Sequence, residues 1–284
     1  MITSSTAITR DAITNAPDSL EQPLDPSRLK VKIYADGADK ATMLEMYANP
    51  LVSGFTTNPT LMKKSGVIDY CSFAREVLDQ IRDRPISFEV FADNFDEMED
   101  QAREIASWGK NVIVKIPITN TRGESSDGLL QRLAKAGVQL NVTALLTLDQ
   151  VHRAAECLGN GPASKISVFA GRIADTGRDP VPVMAAAVEL LAPYKNLELI
   201  WASPRELLNV FQADAVGCHI ITATTDILKK LNLIGKDLAQ YSLETVKMFF
   251  DDAEKAGYHI PLRDEPQDSA IEAEKVAGSA AADD

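Results

Sequence analysis

Eight short apolar runs, each followed by a longer amphipathic stretch, constrain this chain more than any other feature. The runs are VKIYAD (31–36), SGFTTN (53–58), ISFEV (86–90), VIVKIP (112–117), QLNVTAL (139–145), KISVFAG (165–171), LELIWAS (197–203) and HIITAT (219–224). The segments between them carry helical spacing. FDEMEDQAREIASWG sets Phe95, Met98, Ala102, Ile105 and Ala106 on one face, SSDGLLQRLAKAG does so with Leu129, Leu130, Leu133 and Ala134, and LDQVHRAAECLG with Leu148, Val151, Ala155 and Leu158. Thr147 or Asp149 is placed to cap the last of these. Strands alternating with helices require a parallel sheet under helical cover. Eight is the number that closes such a sheet, so the expected fold is α/β, a single (β/α)₈ TIM barrel. The rival is an open doubly wound sheet. No G-x-G-x-x-G follows any strand, which removes its commonest dinucleotide-binding version.

The barrel is expected over residues 30–260. Residues 1–29, with Pro17, Pro23 and Pro26, read as an N-terminal arm. The acidic stretch 261–284 lacks the large apolar side chains that would offset ordering, so it reads as a disordered tail with at most a weak helix around Ser269–Ala277. Segment 236–257 reads as an additional C-terminal helix. Leu238, Tyr241, Leu243, Val246, Met248, Phe249 and Phe250 give it more apolar surface than a solvent-facing helix needs. It is expected to cross the barrel mouth or to pack on a neighbouring subunit.

The formal charge of −12 repels phosphate backbones, which argues against a nucleic-acid partner. Cys71, Cys157 and Cys218 are odd in number and far apart, and with three histidines they suggest neither a disulfide framework nor a metal site. His152, His219 and His259 have no ligand-spaced partners, and Trp108 and Trp201 read as core residues. No stretch approaches the ~18 apolar residues of a membrane span, and the first residues lack the order of a secretory signal. The reading is a cytoplasmic protein with no membrane partner.

Barrel strands should be apolar on both faces. Here polar groups recur near their C-terminal ends: Asp36, Asn58, Glu89, Lys115, Asn141 with Thr143, Ser167 and Ser203. That end is the active-site mouth of a barrel. Lys115 has apolar neighbours on both sides in VIVKIP. Such a lysine either forms a buried ion pair with Asp36 or Glu89, or is a desolvated amine that attacks a ketone carbonyl. Two carboxylates in different environments can divide the proton transfers that imine chemistry needs. Thr143 could hold a water, and Asn58 and Asn141 offer donor and acceptor to sugar hydroxyls. Arg172 follows the sixth strand and Arg205 the seventh, and arginine forks match phosphate. PRELLNVF starts like a helix with Pro204 in its first turn, so its amides could help hold an anion. Asp175 and Asp179 share a loop with Arg178 and read as salt-bridge partners, or as carboxylates that alter selectivity. Asp226 reads as a helix cap.

The segments KIYADGAD, GFTTNPTL, SFEV, VIVKIPIT, LNVTALLT and SVFAGRIADTG resemble the transaldolase family, in order, over about residues 31–260. The resemblance implies a barrel with a Schiff-base lysine on strand four and no metal or organic cofactor. Lys115 resembles that lysine, and Asp36 resembles the acid/base for carbon–carbon cleavage. Glu89 and Thr143 resemble the pair that manages the catalytic water. Asn58, Asn141 and Ser167 resemble the hydroxyl-binding set, and Arg172, Ser203 and Arg205 the phosphate site. The implied activity is that of a transaldolase of carbohydrate metabolism, in the pentose phosphate pathway. It transfers a dihydroxyacetone unit from sedoheptulose 7-phosphate or fructose 6-phosphate to an aldose phosphate, in a homo-oligomer. A branch of the family acts as a fructose 6-phosphate/dihydroxyacetone aldolase and has glutamine at the Glu89 position, so Glu89 favours the transferase. The charged loop after Ser167, and Pro204 where a larger aromatic is common, leave room for a modified or sulfonated sugar.

Overall fold

The computed structural model describes residues 25–37, 39–260 and 262. The rest of the expected arm and tail, with the helix considered around Ser269–Ala277, lies outside the described residues. Each apolar run forms a strand: β1 (Lys32–Gly37), β2 (Val52–Thr57), β3 (Ile86–Glu89), β4 (Val112–Pro117), β5 (Leu140–Leu145), β6 (Ser164–Val168), β7 (Leu197–Trp201) and β8 (Ile220–Thr224). All neighbours pair in parallel, and β1 also pairs with β8, so the sheet closes in sequence order. A parallel neighbour can be reached only by a crossover. The amphipathic segments supply it as α1 (Lys40–Tyr47), α2 (Pro59–Lys64), α3 (Tyr70–Gln80), α4 (Phe95–Ser107), α5 (Asp127–Lys135), α6 (Leu148–Leu158), α7 (Ala170–Ala174), α8 (Val181–Leu191) and α9 (Leu208–Ala215), and α10 (Thr225–Leu228) follows β8.

The predicted faces are largely buried, with Phe95 and Ala106 half-buried and Leu148 exposed. Met98, Ala102 and Ile105 of α4, Leu129, Leu130 and Leu133 of α5, and Val151, Ala155 and Leu158 of α6 are buried. They pack with outward strand residues such as Phe55, Phe88, Val114 and Leu140 in one continuous core. Each large side chain so buried contributes roughly 1.5–3 kcal/mol of transfer free energy. Thr147 caps α6 in a capping box with Gln150.

The barrel interior has a separate filling. Tyr34, Ile200, Ala202 and Ile220 pack together, with Phe169 against them. Gly54 on β2 makes room for this plug, since a Cβ there would lie 2.4 Å from the Tyr34 ring. Toward the N-terminal ends of the strands, Glu198 accepts from Lys165 and Lys32 at 2.6 Å each. Lys165 also lies 5.7 Å from the Tyr34 ring centroid. The floor is therefore sealed by ion pairs and an aromatic ring, which leaves the C-terminal end as the open one.

Several boundaries differ from the sequence reading. β2 ends at Thr57 because Asn58 leaves the strand to cap α2, accepting from the amides of Thr60 and Leu61. β6 ends at Val168 and β7 at Trp201, so Ser203 lies on a loop rather than a strand. The helix expected from Pro204 begins at Leu208. Asp226 stands inside the first turn of α10, whose N-cap is Thr224. Past Ile234 a second compact unit begins. It contains α11 (Leu238–Lys255), capped by Asp237 and braced by a Lys236–Glu244 ion pair, and no residue of that helix is buried.

Candidate active site

A cavity of about 350 Å³ opens at the C-terminal ends of the strands. Nine of the ten residues expected at the site line it: Asp36, Asn58, Lys115, Asn141, Thr143, Ser167, Arg172, Ser203 and Arg205. The tenth, Glu89, stands behind Lys115. Strand register explains the grouping, because the parallel ladder sets Lys115 level with Glu89 on β3 and with Asn141 on β5.

Lys115 is 7% exposed. Its Nζ donates to the Thr57 carbonyl at 2.8 Å and lies 3.2 Å from Glu89 Oε2. The ion pair that sequence offered as a structural reading is thus present with Glu89, and the amine still borders the cavity. Asp36 accepts from Thr56 Oγ1 at 2.8 Å, and Thr56 Oγ1 lies 2.6 Å from Thr222 Oγ1. With the Thr56 proton directed to Asp36, the Thr222 hydroxyl donates to Thr56. Burial pushes the Asp36 carboxyl above its ordinary value; the Lys115 charge and the Thr56 hydrogen bond oppose that shift without cancelling it. A carboxyl placed this way can exchange a proton closer to neutral pH. Asn141 is fixed at both ends of its amide, donating to Ser87 Oγ at 3.1 Å and accepting from Ser167 Oγ at 2.7 Å.

The basic side of the mouth is built by packing. Ser203 holds φ of 60°, a left-handed conformation costly for a residue with a side chain. Its carbonyl presses on Gly171, where a Cβ would lie 1.5 Å from that oxygen. Only glycine lets α7, which follows β6, meet the loop after β7, and their meeting brings Arg172, Ser203 and Arg205 to one wall. The guanidinium of Arg172 lies 5.8 Å from the Phe169 ring centroid. Arg205 is held by Asp175 in a two-point pair, Nε to Oδ1 at 2.9 Å and Nη2 to Oδ2. The Arg205 hydrogen bonds, aided by the Arg172 charge, hold the Asp175 carboxyl below the ordinary range. Asp175 is therefore a salt-bridge partner, while Arg178 donates to Thr176 Oγ1 and Asp179 accepts from the Val181 amide. The amides of Arg205 and Glu206 both donate to Asn209 Oδ1, so these two amides after Pro204 are already engaged.

Several participants escaped the sequence reading. Thr56 and Thr222 support Asp36, and Ser87 supports Asn141; a polar residue inside an apolar run was the signal for all three. Lys64 lines the mouth from α2, with no pattern to mark it. Glu198 and Lys165 are charged residues within strands too, but they pair with each other away from the cavity. Among the described residues no group of three or more His, Cys, Asp or Glu is arranged to hold a metal, and no helix is long and apolar enough to cross a membrane.

Comparison with known proteins adds a lineage to this geometry. A family model described as Transaldolase/Fructose-6-phosphate aldolase matches residues 33–269. A protein from Thermoanaerobacter sp. (strain X514) named "Probable transaldolase" is 34% identical over 233 residues, covering 81% of this chain and 100% of its own. One of the same name from Methanococcus maripaludis (strain C5 / ATCC BAA-1333) is 33% identical over 223 residues, covering 76% and 99%. Among solved structures, a 3-hexulose-6-phosphate synthase aligns with TM-score 0.50 at 17% identity, over 69% of this chain and 90% of its own. A protein from Burkholderia cenocepacia J2315 named "putative lyase/mutase" aligns with TM-score 0.50 at 13% identity, over 84% and 91%. At those identities the structures share the fold alone.

Proposed function

The chain belongs to the transaldolase/fructose-6-phosphate aldolase family, and from that premise we propose that it transfers a dihydroxyacetone unit between sugar phosphates through a Schiff base on Lys115. The observation that carries the reading is the Lys115 amine, buried at the cavity wall 3.2 Å from Glu89, with Asp36 lining the same cavity. In the proposed cycle, the amine adds to C2 of a ketose phosphate. Glu89 relays the protons that turn the carbinolamine into an imine and release water, and Thr143 holds that water. Asp36 takes the proton of the C4 hydroxyl. The C3–C4 bond then breaks, its electron pair passes into the iminium, and an aldose phosphate leaves. The enamine on Lys115 attacks an acceptor aldehyde, Asp36 returns the proton to the new hydroxyl, and water releases the product ketose.

Asn58, Asn141 and Ser167 would hold the sugar hydroxyls. Asn58 has committed its carbonyl to capping α2, so its amide hydrogens are the part it offers. Arg172, Ser203 and Arg205 would hold the phosphate. We assign Glu89, in place of the glutamine of the aldolase branch, as the reason a transferase is favoured. The exposed apolar residues of α11 fit a homo-oligomer in which they are covered.

The test is product analysis with fructose 6-phosphate, with and without erythrose 4-phosphate. A seven-carbon ketose phosphate formed only with the acceptor supports the transferase. Release of free dihydroxyacetone without acceptor, at a comparable rate, replaces it with the aldolase. No turnover of fructose 6-phosphate or sedoheptulose 7-phosphate contradicts both and points to a modified sugar.

A further inference from the structure

β3 is the shortest strand of the barrel, four residues, and it meets β2 at two positions, Phe55 with Ile86 and Thr56 with Ser87. Beyond Thr57 the chain turns away to enter α2. Glu89 therefore lies past the last pairing with β2, and its amide and carbonyl on that side need other partners. The Tyr70 hydroxyl supplies both. It accepts from the Glu89 amide at 2.8 Å and donates to the Glu89 carbonyl at 3.2 Å. The ring is clamped edge-on against Phe88, Phe91 and Trp108, with centroids 6.1, 4.6 and 5.9 Å away. Burial raises the phenol's pKa, so the hydroxyl keeps the proton it donates.

We propose that Tyr70 is a positioning residue for the reaction: its hydroxyl substitutes for the missing β2 backbone and holds Glu89 where its carboxylate meets Lys115. This rests on the role proposed for Glu89 above. Proton transfer tolerates little displacement, and a misplacement of about 1 Å can cost about 100-fold in rate. Tyr70 lies outside the cavity lining, so it affects turnover through Glu89 and leaves sugar binding alone.

The test is a double-mutant cycle with Tyr70→Phe and Glu89→Gln, assayed with fructose 6-phosphate and erythrose 4-phosphate. Borohydride labelling of Lys115 is measured in parallel on the unaltered protein. Tyr70→Phe is expected to lower kcat about tenfold with KM within about twofold. In the Glu89→Gln background the same change is expected to cost less than about twofold, because residues that act as a unit are non-additive. Should Tyr70→Phe not fold, 3-fluorotyrosine at position 70 keeps the ring and weakens the hydroxyl as an acceptor; a kcat fall of about twofold or more supports the assignment and an unchanged kcat overturns it. Unchanged kcat in Tyr70→Phe, or equal losses in both backgrounds, overturns the Tyr70 assignment while labelled Lys115 leaves the Schiff-base reading standing. Absence of label in the unaltered protein overturns both.

Discussion

Lys115 and Lys165 are buried to the same degree, 7% and 6% exposed, yet their surroundings give them different chemistry. Lys165 is a paired cation, sealed between Glu198 and the Tyr34 ring. Lys115 is paired with Glu89, but its side chain also lines a cavity wide enough for a ketone. Asp36 is the residue whose titration matters most. Burial raises its carboxyl, so above the ordinary carboxylate range the folded chain binds more protons than the unfolded one. Stability therefore falls as pH rises from that range through the raised native value. Asp36→Asn removes this penalty. Its thermal midpoint is expected to exceed the parent's near neutral pH, and the gap to shrink as pH falls into the ordinary carboxylate range. Its kcat should drop by at least about 100-fold. An equal or lower midpoint at neutral pH contradicts the burial argument. For Arg205→Ala, steady-state kinetics should show a rise of about 10-fold or more in KM for a phosphorylated donor, with a smaller change in kcat. An unchanged KM removes Arg205 from the phosphate site.

Among the elements, the decisive contact is between α7, which follows β6, and the loop after β7. Gly171→Ala places a methyl 1.5 Å from the Ser203 carbonyl, a backbone atom that cannot swing aside. The variant should lose about 1–3 kcal/mol in denaturant melts and bind inorganic phosphate more weakly. Parent-like stability together with parent-like phosphate affinity would show that the loops adjust freely. This contact also marks how far a sequence can be read. The strands were legible because both faces of a barrel strand are covered, and the polar residues near their ends stood out against that background. The ends of β6 and β7 were not legible, because Gly171 and Ser203 meet only once neighbouring strands are assembled. The Asp175–Arg205 pair spans 30 residues of sequence and depends on the same adjacency. Asn58 was legible as a site residue, but its capping of α2 was hidden inside the apolar run. The helix expected at Pro204 begins only at Leu208, and the Asn209 side chain that accepts from the Arg205 and Glu206 amides ahead of it left no mark in the pattern.

Across the whole molecule, the closed order β1 to β8 turns eight local patterns into one polar ring above an apolar and ion-paired plug. The chain has a net charge of −12, yet the mouth carries Arg172, Arg205 and Lys64. Capture of an anion there would rest on these local donors rather than on the overall field. The apolar residues of α11, with Val246 61% and Phe250 65% exposed, lead to a prediction at this scale. Light scattering should give a particle several times the 30.9 kDa of one chain, and Val246→Asp with Phe250→Asp should shift it toward the single chain. A monomer at micromolar concentration would refute the homo-oligomer. The central claim is covalent, and its most direct test is peptide mass mapping after borohydride reduction in the presence of fructose 6-phosphate. A three-carbon adduct is expected on the peptide containing Lys115, with Lys64 and Lys165 unmodified. Folded protein that gives no adduct on Lys115 with any ketose phosphate, or that carries it on another lysine, would contradict the account.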